Sequence, residues 1–134
     1  NLNPSTMKDN KLIAEFMKYP RDNEGCYYIP LRYVGDWCHE LDLCFHQDWN
    51  WLMLVVDKIE SIHGVFRIGG MTKGGQLHNA TETKYIMEYG MHDKVMGYSY
   101  ANSRIDAEYQ AVVEFIKEYN RVLEDTQHTH DGKI

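Results

Sequence analysis

The chain has 134 residues, with 20 Asp and Glu against 14 Lys and Arg, giving a formal net charge of −6. A chain of this length supports one core without disulfides or structural metal, and 43% hydrophobic with 25% charged residues excludes wholesale disorder. The Lys and Arg residues are scattered singly, which argues against a binder that neutralises nucleic-acid phosphates along a basic stripe.

Asn1 to Thr6, ahead of Met7, carry no pattern and read as a leader outside the domain. Asp9 or Asn10 can cap a helix running to about Tyr19, with Leu12, Ile13, Phe16 and Met17 on one apolar face and Pro20 ending it. Arg21 to Gly25 reads as a turn and Cys26 to Val34 as a strand, which Pro30 places at a sheet edge. Gly35 and Asp36 break it. Leu41, Leu43 and Phe45 then alternate with Asp42, Cys44 and His46 as in a half-buried strand. Asp48 can cap a helix of about 15 residues in which Trp49, Leu52, Met53, Val56 and Ile59 share a face, closed by His63-Gly64. Val65 to Ile68 reads as a short strand and Gly69 to Asn79 as a glycine-rich loop. Thr83 to Tyr89 and Val95 to Tyr100 pair across a turn at Gly90 to Lys94. Ser103 with Asp106 resembles a capping box, and Ile105, Tyr109, Val112, Val113, Ile116 and Leu123 hold helical spacing. The predicted architecture is α+β: one antiparallel sheet of four to five strands packed by three helices, in a single domain over residues 7–124, with a polar flexible tail over 125–134.

Cys26, Cys38 and Cys44 are an odd set without a C-x-x-C pair, which fits free thiols in the cytoplasm. No apolar run approaches the length of a membrane span. Cys38, His39, Cys44 and His46 are zinc-competent, but their spacing departs from that of closed zinc sites, so buried thiols and surface imidazoles are the expectation and no metal is assigned. Gly69, Gly70, Lys73, Gly74 and Gly75 could cradle an anion in a backbone nest, although the P-loop order fails at Gly75-Gln76; a plain connecting loop is the alternative. Of the 10 tyrosines, Tyr85, Tyr89, Tyr98 and Tyr100 fall on the late strands and Tyr27, Tyr28 and Tyr33 on the early one. Such a set can form an interface or simply pack across strands. Trp49 and Trp51 stand two apart on one helix and face different directions, so Trp51 joins the interaction candidates. The serines lack a nucleophile elbow and the carboxylates lack metal-ligand spacing, so no catalytic residue and no cofactor are assigned.

Three stretches carry a family resemblance: Asn10 to Met17 (NKLIAEFM), Phe45 to Met53 (FHQDWNWLM) continuing through Val56 to Glu60 (VDKIE), and Ala111 to Lys117 (AVVEFIK). They resemble a family of small proteins of tailed phages and prophages, common in phages of Bacteroidetes hosts and similar to the phage α-β-α sandwich domain. The glycine-rich middle departs from that pattern. The resemblance implies an accessory protein in the cytoplasm of an infected bacterium. It suggests a non-enzymatic inhibitor that binds a host protein such as a CRISPR effector, with no direct nucleic-acid or membrane contact. The alternative is a binder that sequesters a cyclic-nucleotide signal, using the glycine-rich loop and the tyrosines.

Overall fold

Asn3 opens the first helix: its side chain accepts the Ser5 N–H at 2.7 Å, and Pro4 sets the first turn. In the computed structural model, which describes residues 3–31, 35–73 and 83–131, this helix α1 spans Pro4–Phe16. Residues 4–6 are therefore helical and not a patternless leader, because the Asn3-Pro4 start outcompetes a cap at Asp9 or Asn10. Those two residues lie inside α1, where Asn10 is buried and donates to the Leu43 carbonyl at 2.9 Å. The helix stops before Lys18, which takes a left-handed φ of 58° ahead of Pro20.

The chain forms two compact units, Asn1–His63 and Gly64–Ile134. In the first, β1 (Cys26–Ile29) ends before Pro30, which has no N–H to give a ladder, and pairs antiparallel with β2 (Asp36–His39) in the register Cys26↔His39. The Gly35-Asp36 break is thus the start of a second strand. The strand expected from Leu41 to His46 is absent: Glu40–Asp42 is a 3-10 turn capped by the His39 side chain, and Gln47 and Asp48 donate to the Cys44 carbonyl. Leu43 and Phe45 are fully buried while Leu41 is exposed, so the alternation reflected burial at two of its three apolar positions and not a strand. Helix α2 spans Trp49–Glu60, with Asp48 accepting the Asn50 N–H at 2.8 Å and Leu52, Val55, Val56 and Ile59 buried.

The second unit is a three-stranded antiparallel sheet in the order β3 (Val65–Lys73), β4 (Thr83–Met91), β5 (Lys94–Ala101), with α3 (Arg104–Asp131) against β4 and β5. Two sheets, of two and three strands, replace the one expected of four to five. Ladder pairs Gly69↔Met87 and Gly70↔Ile86 carry β3 through its glycines to Lys73, so the glycine-rich segment is strand as far as it is described. Gly97 permits the close approach of α3: a β-carbon there would stand 2.7 Å from the Phe115 nitrogen. Ser103 caps α3 by accepting the Asp106 N–H at 3.2 Å. The helix runs past Glu124 to Asp131, where a fraying tail was expected, and Arg121 bridges Glu118 and Asp125 on its surface.

Candidate functional site

Strand alternation divides the tyrosine candidates between two faces of the β3-β4-β5 sheet. Tyr89 pairs with Gly97 and Tyr85 with Ala101, on the face covered by α3; Tyr98 pairs with Glu88 and Tyr100 with Ile86, on the other. Tyr89 is fully buried, which makes it a core residue and not the interaction residue that its sequence position suggested. Tyr85 is half-buried, with the Arg104 guanidinium 5.4 Å from its ring centroid. Tyr98 and Tyr100 are 52% and 55% exposed, and Ile68, across the sheet, is 57% exposed.

Those three side chains, with half-buried Ile86, give the face opposite α3 an apolar surface that solvent reaches. Two charges sit within it on the central strand, Lys84 and Glu88, one on either side of Ile86. The Lys84 ammonium lies 5.8 Å from the Tyr100 ring centroid and also donates to the Asn102 side chain. Gly70 leaves a gap beside Ile86, since a β-carbon there would meet nothing within 4 Å. Tyrosines standing beside exposed aliphatic residues match the composition of protein interfaces.

The covered face holds the densest polar arrangement of the described residues. Glu108 of α3 is fully buried and receives the Arg67 guanidinium at both carboxylate oxygens, with Nε at 3.3 Å, together with the Tyr89 hydroxyl. Arg67 Nε also lies 3.1 Å from the Tyr89 oxygen. Burial first, and the Glu108 charge second, push the Tyr89 phenol far above its ordinary range, while the hydrogen bond to Glu108 raises Arg67. The carboxylate accepts from both partners, so this cluster ties β3, β4 and α3 together. Sequence reading missed it, although Glu108 stands between Ile105 and Val112 on the apolar stripe of α3, where a carboxylate demands a partner.

The remaining candidates divide differently. Gly69, Gly70 and Lys73 belong to β3, and Gly74 and Gly75 lie outside the described residues, as does Tyr33. Over Gly69 to Lys73 the backbone is extended and paired on one side with β4, where the nest reading assumed a loop. Cys38, His39, Cys44 and His46 do not converge: among the described residues no three His, Cys, Asp or Glu side chains form a group able to hold a metal ion. The three thiols are free, and burial, with lesser effects from Cys44 and Asp42, pushes Cys38 up to about 11. Trp51 is half-buried with its ring edge-on to Phe45, centroids 5.2 Å apart, whereas Trp49 is exposed. Trp37, which sequence reading passed over, and Leu41, which it placed on the apolar face of a half-buried strand, are both exposed along the acidic stretch containing Asp36, Glu40, Asp42 and Asp48. Among the described residues no helix is long and apolar enough to cross a membrane. No family model, no curated protein and no solved structure matches the chain.

Proposed function

We propose that the chain is a phage-derived, non-enzymatic accessory protein that binds and inhibits a host protein, a nucleic-acid-handling defence effector such as a CRISPR nuclease. The observation that carries the binding part of this reading is the open face of β3-β4-β5, where Ile68, Tyr98 and Tyr100 stay more than half exposed opposite the helix-covered side. A folded chain gains nothing in stability from exposed aromatics, and rigid tyrosines supply contact area at low entropic cost. The net charge of −6 suits a basic partner surface of the kind that otherwise holds nucleic acid, and opposite fields speed such an encounter. The resemblance to phage proteins supplies the setting, and no observation favours the nucleotide-sequestering alternative once Gly69 to Lys73 are strand.

The test compares the immobilised wild-type protein with a Tyr98→Ala, Tyr100→Ala double variant in a host lysate at physiological salt. The expected result is a stoichiometric nucleic-acid-handling effector held by the wild type and lost by the variant, and inhibited when purified effector is titrated with the wild type. Both substitutions are on exposed side chains, so unchanged circular dichroism checks the fold. A wild type that retains no stoichiometric protein sinks the proposal.

A further inference from the structure

β3 is the end strand of its sheet: it is bonded to β4 on one side, and no described strand lies along its other edge. Residues 67–72 are all exposed there. The direction of the outward backbone groups follows from the ladder. The Gly64 carbonyl accepts from the His92 N–H at 2.8 Å, one rung before Val65↔Met91, and the register then runs unbroken to Lys73↔Thr83. Even-numbered residues of β3 therefore turn their N–H and C=O toward β4, and Val65, Arg67, Gly69, Met71 and Lys73 turn theirs away from it. Long sheet edges are ordinarily blunted by lysine, proline or a bulge. β3 has 9 residues with no proline and no break in register, and Arg67, the one charge in residues 65–72, is bound to Glu108 of α3.

From this we infer that a second copy of the chain adds its own β3 to this edge, antiparallel, joining the two three-stranded sheets into one continuous sheet. The edge is complementary to itself in one register. A two-fold axis normal to the sheet at Gly69 sets Gly69 against the partner's Gly69, Arg67 against the partner's Met71 and Val65 against the partner's Lys73. Each is a pair of outward-facing residues that exchanges both backbone hydrogen bonds, about ten bonds in all, the number a typical interface carries. Between them Ile68 stands opposite the partner's Gly70, in the more closely spaced kind of pair. Ile68 is 57% exposed and a β-carbon at Gly70 would meet nothing within 4 Å, so the side chain that lacks cover meets the position that lacks a side chain. Arg67 meets Met71 and no like charge. The same axis keeps both copies of α3 on one side and both open faces on the other. The inference concerns the edge of the sheet and does not depend on the open face having a target.

A strand of 9 residues is about 30 Å long and a sheet edge about 10 Å thick, so each copy buries roughly 300 Å², less than half the standard share, and the dimer is weak and concentration-dependent. Sedimentation equilibrium of the full chain, from about 10 to about 500 µM, is expected to show monomer passing to dimer. Amide exchange over the same range locates the contact: the N–H groups of Arg67, Gly69 and Met71 gain about tenfold protection once the dimer predominates. Met71→Pro removes an outward N–H without touching the β4 ladder, so it is expected to stay monomeric with unchanged circular dichroism. Ile68→Lys faces Glu88 within its own sheet but sets two ammoniums diagonally against each other in the dimer, and should weaken association about fivefold; it serves as the check if proline disturbs the strand. A wild type that stays monomeric throughout overturns the inference, as does a dimer that survives both variants or whose new protection falls outside residues 65–73. Protection of this edge that appears only with a captured effector would overturn the dimer and assign the edge to that partner. Tyr98→Ala with Tyr100→Ala is expected to leave the dimer intact while abolishing effector capture, so either reading can fail with the other standing.

Discussion

Glu108 is the residue on which the second unit turns. Its carboxylate is fully buried, whereas the Arg67 side chain that pairs with it is 30% exposed. Removing one partner of a buried pair leaves the other charge uncompensated, at a cost of about 3–5 kcal/mol; the hydration left to Arg67 sets the low end of that range. Glu108→Gln is therefore expected to lower unfolding stability by about 3 kcal/mol in urea. Tyr89→Phe, which takes away only one donor, should cost about 1 kcal/mol. Equal losses for the two would mean that the ion pair contributes nothing beyond an ordinary hydrogen bond. The cluster was only half legible in the sequence. A glutamate on an apolar helical stripe signals a buried partner, but nothing in one sequence ties it to an arginine 41 positions earlier, because that pairing depends on how β3 and β4 lie under α3.

The glycines separate two functions of one residue type at the scale of the element. Gly97 lies under α3, where an added β-carbon would press on helix backbone that cannot rotate aside; Gly70 is on the open face, where it would meet nothing. Gly97→Ala should therefore destabilise by about 1–3 kcal/mol through overpacking. Gly70→Ala should stabilise by about 0.5–1 kcal/mol through the entropy removed from the unfolded chain. Urea midpoints that moved in the same direction would contradict the assignment of the two faces. Helix α3 is also tied to β5 by Glu118, whose carboxyl is held near 2, below its ordinary 4.5, by hydrogen bonds from Arg121 and then Lys94. The depressed value means that its stabilisation is complete above about pH 4.5 and fades as pH falls toward 2, so the stability gap between wild type and Glu118→Gln should close across that interval. Helices with a clear cap and stripe were legible, as Asp48 for α2 and Ser103 for α3 attest. The Leu41 to His46 alternation and the glycines of β3 misled for opposite reasons. In the first, burial imitated a strand; in the second, ladder partners from β4 sustained one that local propensity disfavours.

At the scale of the whole molecule, the division into two units was not legible in the sequence, which has no linker signal where His63 meets Gly64. That division makes a prediction the chain is well placed to report. All 3 tryptophans, Trp37, Trp49 and Trp51, belong to the first unit, whereas Arg67, Tyr89 and Glu108 belong to the second. Helical signal is shared almost evenly, with 13 and 12 residues in α1 and α2 against 28 in α3. If each unit is held mainly by its own core, Glu108→Gln should split the urea transition. Far-UV circular dichroism would then show an early phase carrying about half the amplitude, shifted down by about 2 M at the m-value of a small unit, while the tryptophan transition keeps its wild-type midpoint. The test turns on the position of the fluorescence transition. A tryptophan midpoint that moves down together with the circular dichroism would mean that the 134 residues unfold as one cooperative body. A substitution at Glu108 would then reach the first unit as strongly as the second.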